Sequence, residues 1–392
     1  MLIDLLAQRR ILVSAGPGGA GKTTVAASLG ALAARTGRRI LVATIDPAPR
    51  LADALGVTLG ADPVVLPATI CRTLGIPEGS LSAARIDPAL SFSRLVEAKV
   101  SDPEMRRRIF TNPIYRQMTT ALTGSQEYAA TLALYDFHNS GAYDLIVLDT
   151  PPTANALDFL DAPHRISEAV SSPVVSWFAR SGEKAGRFSL RRLGSGGALI
   201  LQRLGKFVGI QFLDDLGAFL ADFHGVLGGF LDRARAIDGL LRRPDVGFLL
   251  VLAPELPAVD EALYFHSRLR AAGFSLDAFV ANRVLPAPGL TAVEAIRREV
   301  AQLPGVATWP PAQLDAATRA LGDSAAFLAQ TAEAQRNELA RLHERDPEVP
   351  LLEIPLLPRE PASAQSLRII GDRLAGAPRL HVAELTTDAT AP

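Results

Sequence analysis

Gly16-Pro17-Gly18-Gly19-Ala20-Gly21-Lys22-Thr23-Thr24 fits the pattern of Gly, four residues, then Gly-Lys-Thr that marks a phosphate loop. Its flanks supply the context the pattern needs. Ile11 to Ala15, ILVSA, is a short apolar run that reads as a buried strand. Lys22 to Arg35 is dominated by helix formers, and Gly37 is a natural stop. In a strand–loop–helix of this kind, Gly16, Gly18, Gly19 and Gly21 let the backbone turn tightly. Together with Ala20 they aim N–H groups at phosphate oxygens, and the helix N-terminus adds partial positive charge there. The pattern assigns Lys22 to the β- and γ-phosphates, the Thr23 hydroxyl to Mg²⁺ and Thr24 to the α-phosphate. Lys22 is expected to be exposed in the loop until a phosphate binds.

Two further apolar runs end on an acid. Ile40 to Ile45, ILVATI, stops at Asp46, and Asp144 to Thr150, DLIVLDT, carries Asp149 at its end. Open α/β sheets bind ligands at the C-terminal edge of their strands, so both carboxylates belong beside the phosphate loop. Asp46-Pro47 read alone is also an ordinary turn starter. Four apolar residues followed by Asp149 is the arrangement with which phosphate-loop ATPases hold Mg²⁺.

Between these strands, Leu59 to Ile76 reads as a loop with one short strand, and Leu81 to Ile86 as an edge strand. Pro88 to Asn139 predicts three helices, broken at Asp102-Pro103 and Asn112-Pro113; Tyr128, Leu132, Tyr135 and Phe137 belong to their core. After Pro151-Pro152-Thr153 the character changes. Residues 164–243 mix Gly, Arg and apolar side chains, and Phe212 to Leu241 has helical periodicity. They read as a helical subdomain inserted into a core made of 1–163 and 244–384. Its apolar content suits packing on itself or on a second subunit, or contact with a hydrophobic or membrane-associated client. The core resumes with a strand at Val246–Leu252, a helix over Ala258–Ala272, and a strand at Asp277–Ala281 that leads to Asn282-Arg283. A largely helical stretch over Thr291–Arg345, a strand at Val349–Leu357 and a helix at Ser366–Leu374 follow. Residues 385–392 are expected to be a disordered tail. The fold class is therefore α/β: a mainly parallel sheet with helices on both faces.

Forty basic and 41 acidic residues leave a formal net charge of −1 in 392 residues, which gives no sign of a nucleic-acid partner. A single cysteine, Cys71, excludes an internal disulfide and any site built from several cysteines of one chain. The start, MLIDLLAQRR, lacks the pattern of a signal peptide, and no apolar run reaches the length of a membrane span. The expected location is the cytoplasm.

Phosphate loop, Thr44-Ile45-Asp46-Pro47-Ala48 and Asp149-Thr150-Pro151-Pro152-Thr153 together resemble the arsenite-pump ATPase family, which includes the ATPases that deliver tail-anchored membrane proteins. DPAPRLADALG (Asp46 to Gly56), GSQEYAA (Gly124 to Ala130) and DTPPTANALDFLDAP (Asp149 to Pro163) look closest to a bacterial branch of anion-transporting ATPases. The resemblance implies ATP as substrate and Mg²⁺ as cofactor. It makes Asp46 the first-switch acid that orients or activates the attacking water, and Asp149 the second-switch acid that holds Mg²⁺ through water. Asn282 becomes the residue that hydrogen-bonds adenine, and Pro355 to Pro358 the segment that covers it. It also implies a dimer, or fused halves, with the nucleotides near the interface.

The chain departs from that family at informative places. The family's loop reads Gly-Lys-Gly-Gly-Val-Gly-Lys-Thr, and here Pro17 occupies the slot of the first lysine, which reaches across the interface. A cation of that kind is worth about 10³–10⁵ in rate in related phosphoryl transfer. Pro49 replaces the usual His after Asp-Pro-Ala, with Arg50 next. The paired cysteines that bind zinc or arsenite in named members are absent. The leading expectation is an ATP-hydrolysing dimeric switch, with a slowly hydrolysing subunit paired to a paralogue as the alternative. Arg50, or a lysine lent by the paralogue, would replace the missing charge.

Overall fold

The computed structural model describes residues 2–120, 125–150, 161–162, 168, 210–289, 292–357 and 363–376. Pro151-Pro152-Thr153, most of the proposed insert and the C-terminal tail lie outside the described residues, as does Pro358 at the end of the adenine-covering segment. Among the described residues eight strands form one sheet: β1 (Ile11–Ala15), β2 (Ile40–Thr44), β3 (Val64–Val65), β4 (Leu81–Arg85), β5 (Leu145–Asp149), β6 (Val246–Leu252), β7 (Leu276–Val284) and β8 (Leu351–Pro355). Their spatial order is β3-β4-β2-β5-β1-β6-β7-β8. Every pairing is parallel except β3 with β4. The central strands are buried along their whole length, as expected where helices cover both faces of a parallel sheet.

Side chains alternate between two cores with the period of a strand. Ile11, Val13, Leu41, Ala43, Ile146, Leu148, Phe248 and Leu250 face one side. Leu12, Ile40, Val42, Leu145, Val147, Leu249 and Val251 face the other. The second face is covered by α1 (Leu2–Gln8), α2 (Lys22–Ala34), α3 (Arg50–Leu55), α4 (Ala68–Leu74) and, late in the chain, α13 (Ala364–Leu374). The first face carries α5 (Pro88–Lys99), α6 (Pro103–Thr111), α7 (Pro113–Thr120), α8 (Ser125–Asn139), α9 (Ile210–Leu241) and α10 (Leu256–Ala271). Beyond β7 come α11 (Val293–Ala301) and the 35-residue α12 (Pro311–Arg345), whose C-terminal half reaches the same core through Leu339 and Leu342.

Several expectations need correcting. Among the described residues the segment Pro88–Asn139 holds four helices: three start where Asp87, Asp102 and Asn112 precede a proline, as expected, and the fourth, α8, starts separately at Ser125. Asp87 and Asp102 accept from Leu90 N and Glu104 N as N-caps. The stretch Leu59–Ile76 contains α4, started by Pro67 and closed by Gly75 in the left-handed region. β4 is not the edge strand: the two-residue β3 lies outside it. Tyr128, Leu132 and Phe137 are buried as expected. Tyr128 stacks with Phe230 of α9, its hydroxyl donating to the Phe230 carbonyl at 3.3 Å. Tyr135 is only half-buried and lies under the Arg233 guanidinium, 4.5 Å from the ring centre. The described part of the proposed insert thus shares one core with the helices before β5.

Candidate functional site

β1 lies between β5 and β6, so the chain leaves its C-terminal end toward β2 and later returns to add β6 on the opposite side. The divergence opens a crevice at the strand ends, where the loop Gly16–Gly21 sits. Gly16 has φ 146, and a Cβ there would overlap the Val251 carbonyl oxygen of β6. Only glycine lets the loop leave β1 so close to its neighbour. Gly21, at the start of α2, is left-handed, and a Cβ on it would overlap the Asn282 amide. Gly16, Pro17 and Ala20 are buried, whereas Gly18 and Gly19 form the exposed rim.

Lys22 differs from expectation. It is 7% exposed rather than open to solvent, with Nζ donating to the carbonyls of Gly16 and Pro17, 2.9 Å each. The ammonium finds its partners in the loop itself, since a bare buried cation is strongly disfavoured. Burial lowers its pKa, against the pull of Asp149, Glu261 and Asp46.

Strand register assembles the rest. Asp149 ends β5 opposite Ser14 of β1 and Thr44 of β2. Its Oδ2 accepts from Thr23 Oγ1 at 2.7 Å and from Thr44 Oγ1 at 2.9 Å. Its Oδ1 is buried and has no partner among the described residues. Burial pushes the Asp149 carboxyl up to about 6, opposed by the two threonine bonds and by Lys22. A buried carboxylate oxygen left open beside a threonine hydroxyl fits a hydrated Mg²⁺, whose ligand water would donate to Oδ1 while Thr23 binds the ion. The donor set therefore suits the implied metal.

Asp46, just past β2, is half-buried. Its Oδ1 accepts from Ala48 N at 2.9 Å, its Oδ2 from Arg50 Nη1 at 2.9 Å, and its own N–H donates to Thr44 Oγ1 at 3.2 Å. The two acids thus share Thr44 as a common neighbour. Thr24 lies half-buried in the first turn of α2, its carbonyl accepting from Ser28 Oγ at 2.8 Å. Asn282 is buried behind the loop and donates Nδ2 to the Ala20 carbonyl at 2.8 Å. The phosphate loop with Lys22, Thr23 and Thr24, and Asp46, Asp149 and Asn282, thus lie together at the C-terminal ends of the strands.

Thr44 and Arg283 stand in motifs named from the sequence, which gave neither of them a role. The importance of Thr44 depends on β5 inserting beside β2, which no local pattern encodes. Arg283 has φ 63, the one non-glycine residue with a positive φ among the described residues, and its Nη1 donates to the Gly19 carbonyl at 3.2 Å. A polar pair ending a strand was its only visible signal.

The comparisons agree with this geometry. Residues 9–176 match the family model of anion-transporting ATPases. A putative arsenical pump-driving ATPase of Aquifex aeolicus is 23% identical over 280 residues, covering 71% of this chain and 64% of that protein. An uncharacterised Streptomyces coelicolor protein is 30% identical over 281 residues, 71% of this chain and 63% of its own length. The ATPase get3 of Schizosaccharomyces pombe is 24% identical over 292 residues, 73% of this chain and 77% of its own. The matches to the arsenical pump-driving relatives span only 62–64% of their length. Residues 9–176, which hold the phosphate loop and both strand-end acids, are the part of the chain that matches the anion-transporting ATPase family.

Proposed function

We propose that the protein hydrolyses ATP with Mg²⁺ and uses the cycle as a conformational switch. The observation that carries this reading is the chain of hydrogen bonds from Thr23 through Asp149 to Thr44, with Lys22 buried beside it. Gly16, Gly18, Gly19, Ala20 and Gly21 would cradle the phosphates, and Lys22 would exchange the two loop carbonyls for phosphate oxygens. Thr24 would take the α-phosphate, and Asn282 would keep its second amide hydrogen for the base. Thr23 and Asp149 would hold Mg²⁺, which neutralises charge on the transferring phosphoryl group. Asp46 would orient the water and accept its proton, once Arg50 shifts from its carboxylate. Because Asp149 hydrogen-bonds the helix that starts at the loop and the last residue of β2, a change at the phosphate end alters the first-switch segment Asp46–Arg50 through Thr44.

The protein would act in the cytoplasm as a homodimer, or as a heterodimer with a paralogue, its apolar helices serving a hydrophobic or membrane-associated client. No described helix is long and apolar enough to cross a membrane. Arsenite is a poor candidate for a client. Cys71 is buried, and no three His, Cys, Asp or Glu side chains cluster among the described residues.

Phosphate release by the purified chain tests the reading. Lys22→Ala should abolish Mg-ATP binding or turnover in a folded protein. Asp46→Asn should keep binding while turnover falls at least about 10²-fold. Unchanged affinity and turnover in folded Lys22→Ala would overturn the assignment. A second reading, a subunit that binds nucleotide but hydrolyses slowly, is favoured by Pro17 and by the Arg50 guanidinium already paired with Asp46. Binding by the lone chain, with turnover only when a paralogue is added, would select it.

A further inference from the structure

Asn282 and Arg283 are consecutive at the end of β7, and each holds a carbonyl of the phosphate loop. Asn282 Nδ2 donates to Ala20 O at 2.8 Å, and Arg283 Nη1 to Gly19 O at 3.2 Å. Gly19 and Ala20 are consecutive too. A trans peptide unit is planar, with its C=O and the following N–H pointing opposite ways. Holding the Gly19 carbonyl from outside therefore turns the Ala20 N–H inward, and holding the Ala20 carbonyl turns the Gly21 N–H inward. The Ala20 N–H points across the loop and donates to the Pro17 carbonyl at 3.4 Å, the carbonyl that also holds Lys22 Nζ, so it would exchange that bond for the anion as Lys22 does.

The backbone of Arg283 is built for this contact. The β7–β8 ladder shifts register between Asn282 and Val284, so Arg283 is the extra residue of a bulge. Its φ of 63 lies in the left-handed region, which an arginine enters at a cost and a glycine enters freely. Bulges re-aim side chains next to functional sites, and strain persists where the surroundings fix it. Asn282 adds to the fixing, since its Oδ1 accepts from the Arg283 N–H at 3.0 Å.

We propose that Arg283 is a positioning residue: with Asn282 it clamps the outer carbonyls of the phosphate loop so that the Ala20 and Gly21 amides face the anion, and its guanidinium brings to the loop a positive charge that Pro17 does not. The proposal rests on the ATP reading for its ligand and on the Asn282 and Arg283 hydrogen bonds for the clamp.

Arg283→Gly tests it. The substitution relieves the positive φ and removes the guanidinium, so the fold should be as stable or melt higher, while Mg-ATP affinity falls about 10–150-fold, the range of one hydrogen bond to a charged group. A merely structural role predicts that stability and affinity move together. Arg283→Lys, which restores one donor, should recover part of the affinity despite keeping the strain. In nucleotide-free protein, amide hydrogen exchange at Ala20 and Gly21 should quicken in Arg283→Gly; Arg283→Asn, another residue that tolerates the left-handed region, gives the same comparison if the glycine variant fails to fold. Unchanged affinity with unchanged exchange at both amides would overturn the clamp. If the wild-type chain binds no Mg-ATP, the ATP reading fails instead. The exchange measurement, which needs no nucleotide, still decides the clamp.

Discussion

Asp149→Asn offers a quantitative test of the site's electrostatics. The Asp149 carboxyl is wholly buried, and its pKa rises from 3.8 to about 6, chiefly through loss of hydration. A carboxyl raised in the folded state binds its proton more tightly there than in the unfolded chain. The folded protein is therefore favoured at low pH, and that advantage is lost as pH rises from about 4 to about 6. At about 1.4 kcal/mol per pH unit, the loss is about 3 kcal/mol. Asn cannot titrate, so the stability difference between wild type and Asp149→Asn should change by about 3 kcal/mol between pH 4 and pH 7, wild type losing ground as the pH rises. The absolute offset also contains the cost of placing an amide where Oδ1 now lies, so the pH dependence is the quantity to read. Denaturant titrations without nucleotide and with a metal chelator, at half-unit pH steps, measure it. A difference flat to within about 1 kcal/mol over that range would mean that water reaches Asp149, and the buried-carboxylate argument would fall.

Two further substitutions probe the frame that holds the site. Gly16→Ala places a Cβ against the Val251 carbonyl at a left-handed φ; the chain should lose nucleotide binding and several kcal/mol of stability, and a variant melting within a degree of wild type would show that the loop leaves β1 by another route. Arg9 holds Asp277 through Nε at 2.8 Å and Nη2 at 2.6 Å, with the Asp277 side chain only 4% exposed. Arg9→Ala should cost about 3 kcal/mol in denaturant unfolding by leaving that carboxylate unpaired, whereas Arg9→Ala with Asp277→Ala should recover much of it.

The phosphate loop and both strand-end acids were legible because each is a local pattern: an apolar run, a turn, a functional group. The alternation of Ile11, Leu12 and Val13 between two cores follows from period two alone. What escaped depends on distant partners. Thr44 matters only because β5 lies beside it, and Arg283 only because β7 ends within reach of a loop 264 residues earlier. Lys22 was expected in solvent because the pattern describes it reaching for a phosphate. In the structure it turns back on carbonyls five and six residues before it. The helix α4 was missed because Pro67 and Gly75, read as loop residues, are its start and stop signals.

That inward turn of Lys22 has a consequence for traffic through the site. The loop carries a competitor for its own ligand: the Gly16 and Pro17 carbonyls hold the ammonium that an incoming phosphate must win. Affinity for any anion is then a difference between two sets of bonds, and part of the attraction is cancelled before binding starts. The same competition works in reverse when an anion leaves. The departing group never abandons a naked buried cation, because two carbonyls stand 2.9 Å from the place to which the ammonium returns. The two carbonyls thus lower the net gain from any anion that takes the ammonium, and ease its departure by the same amount.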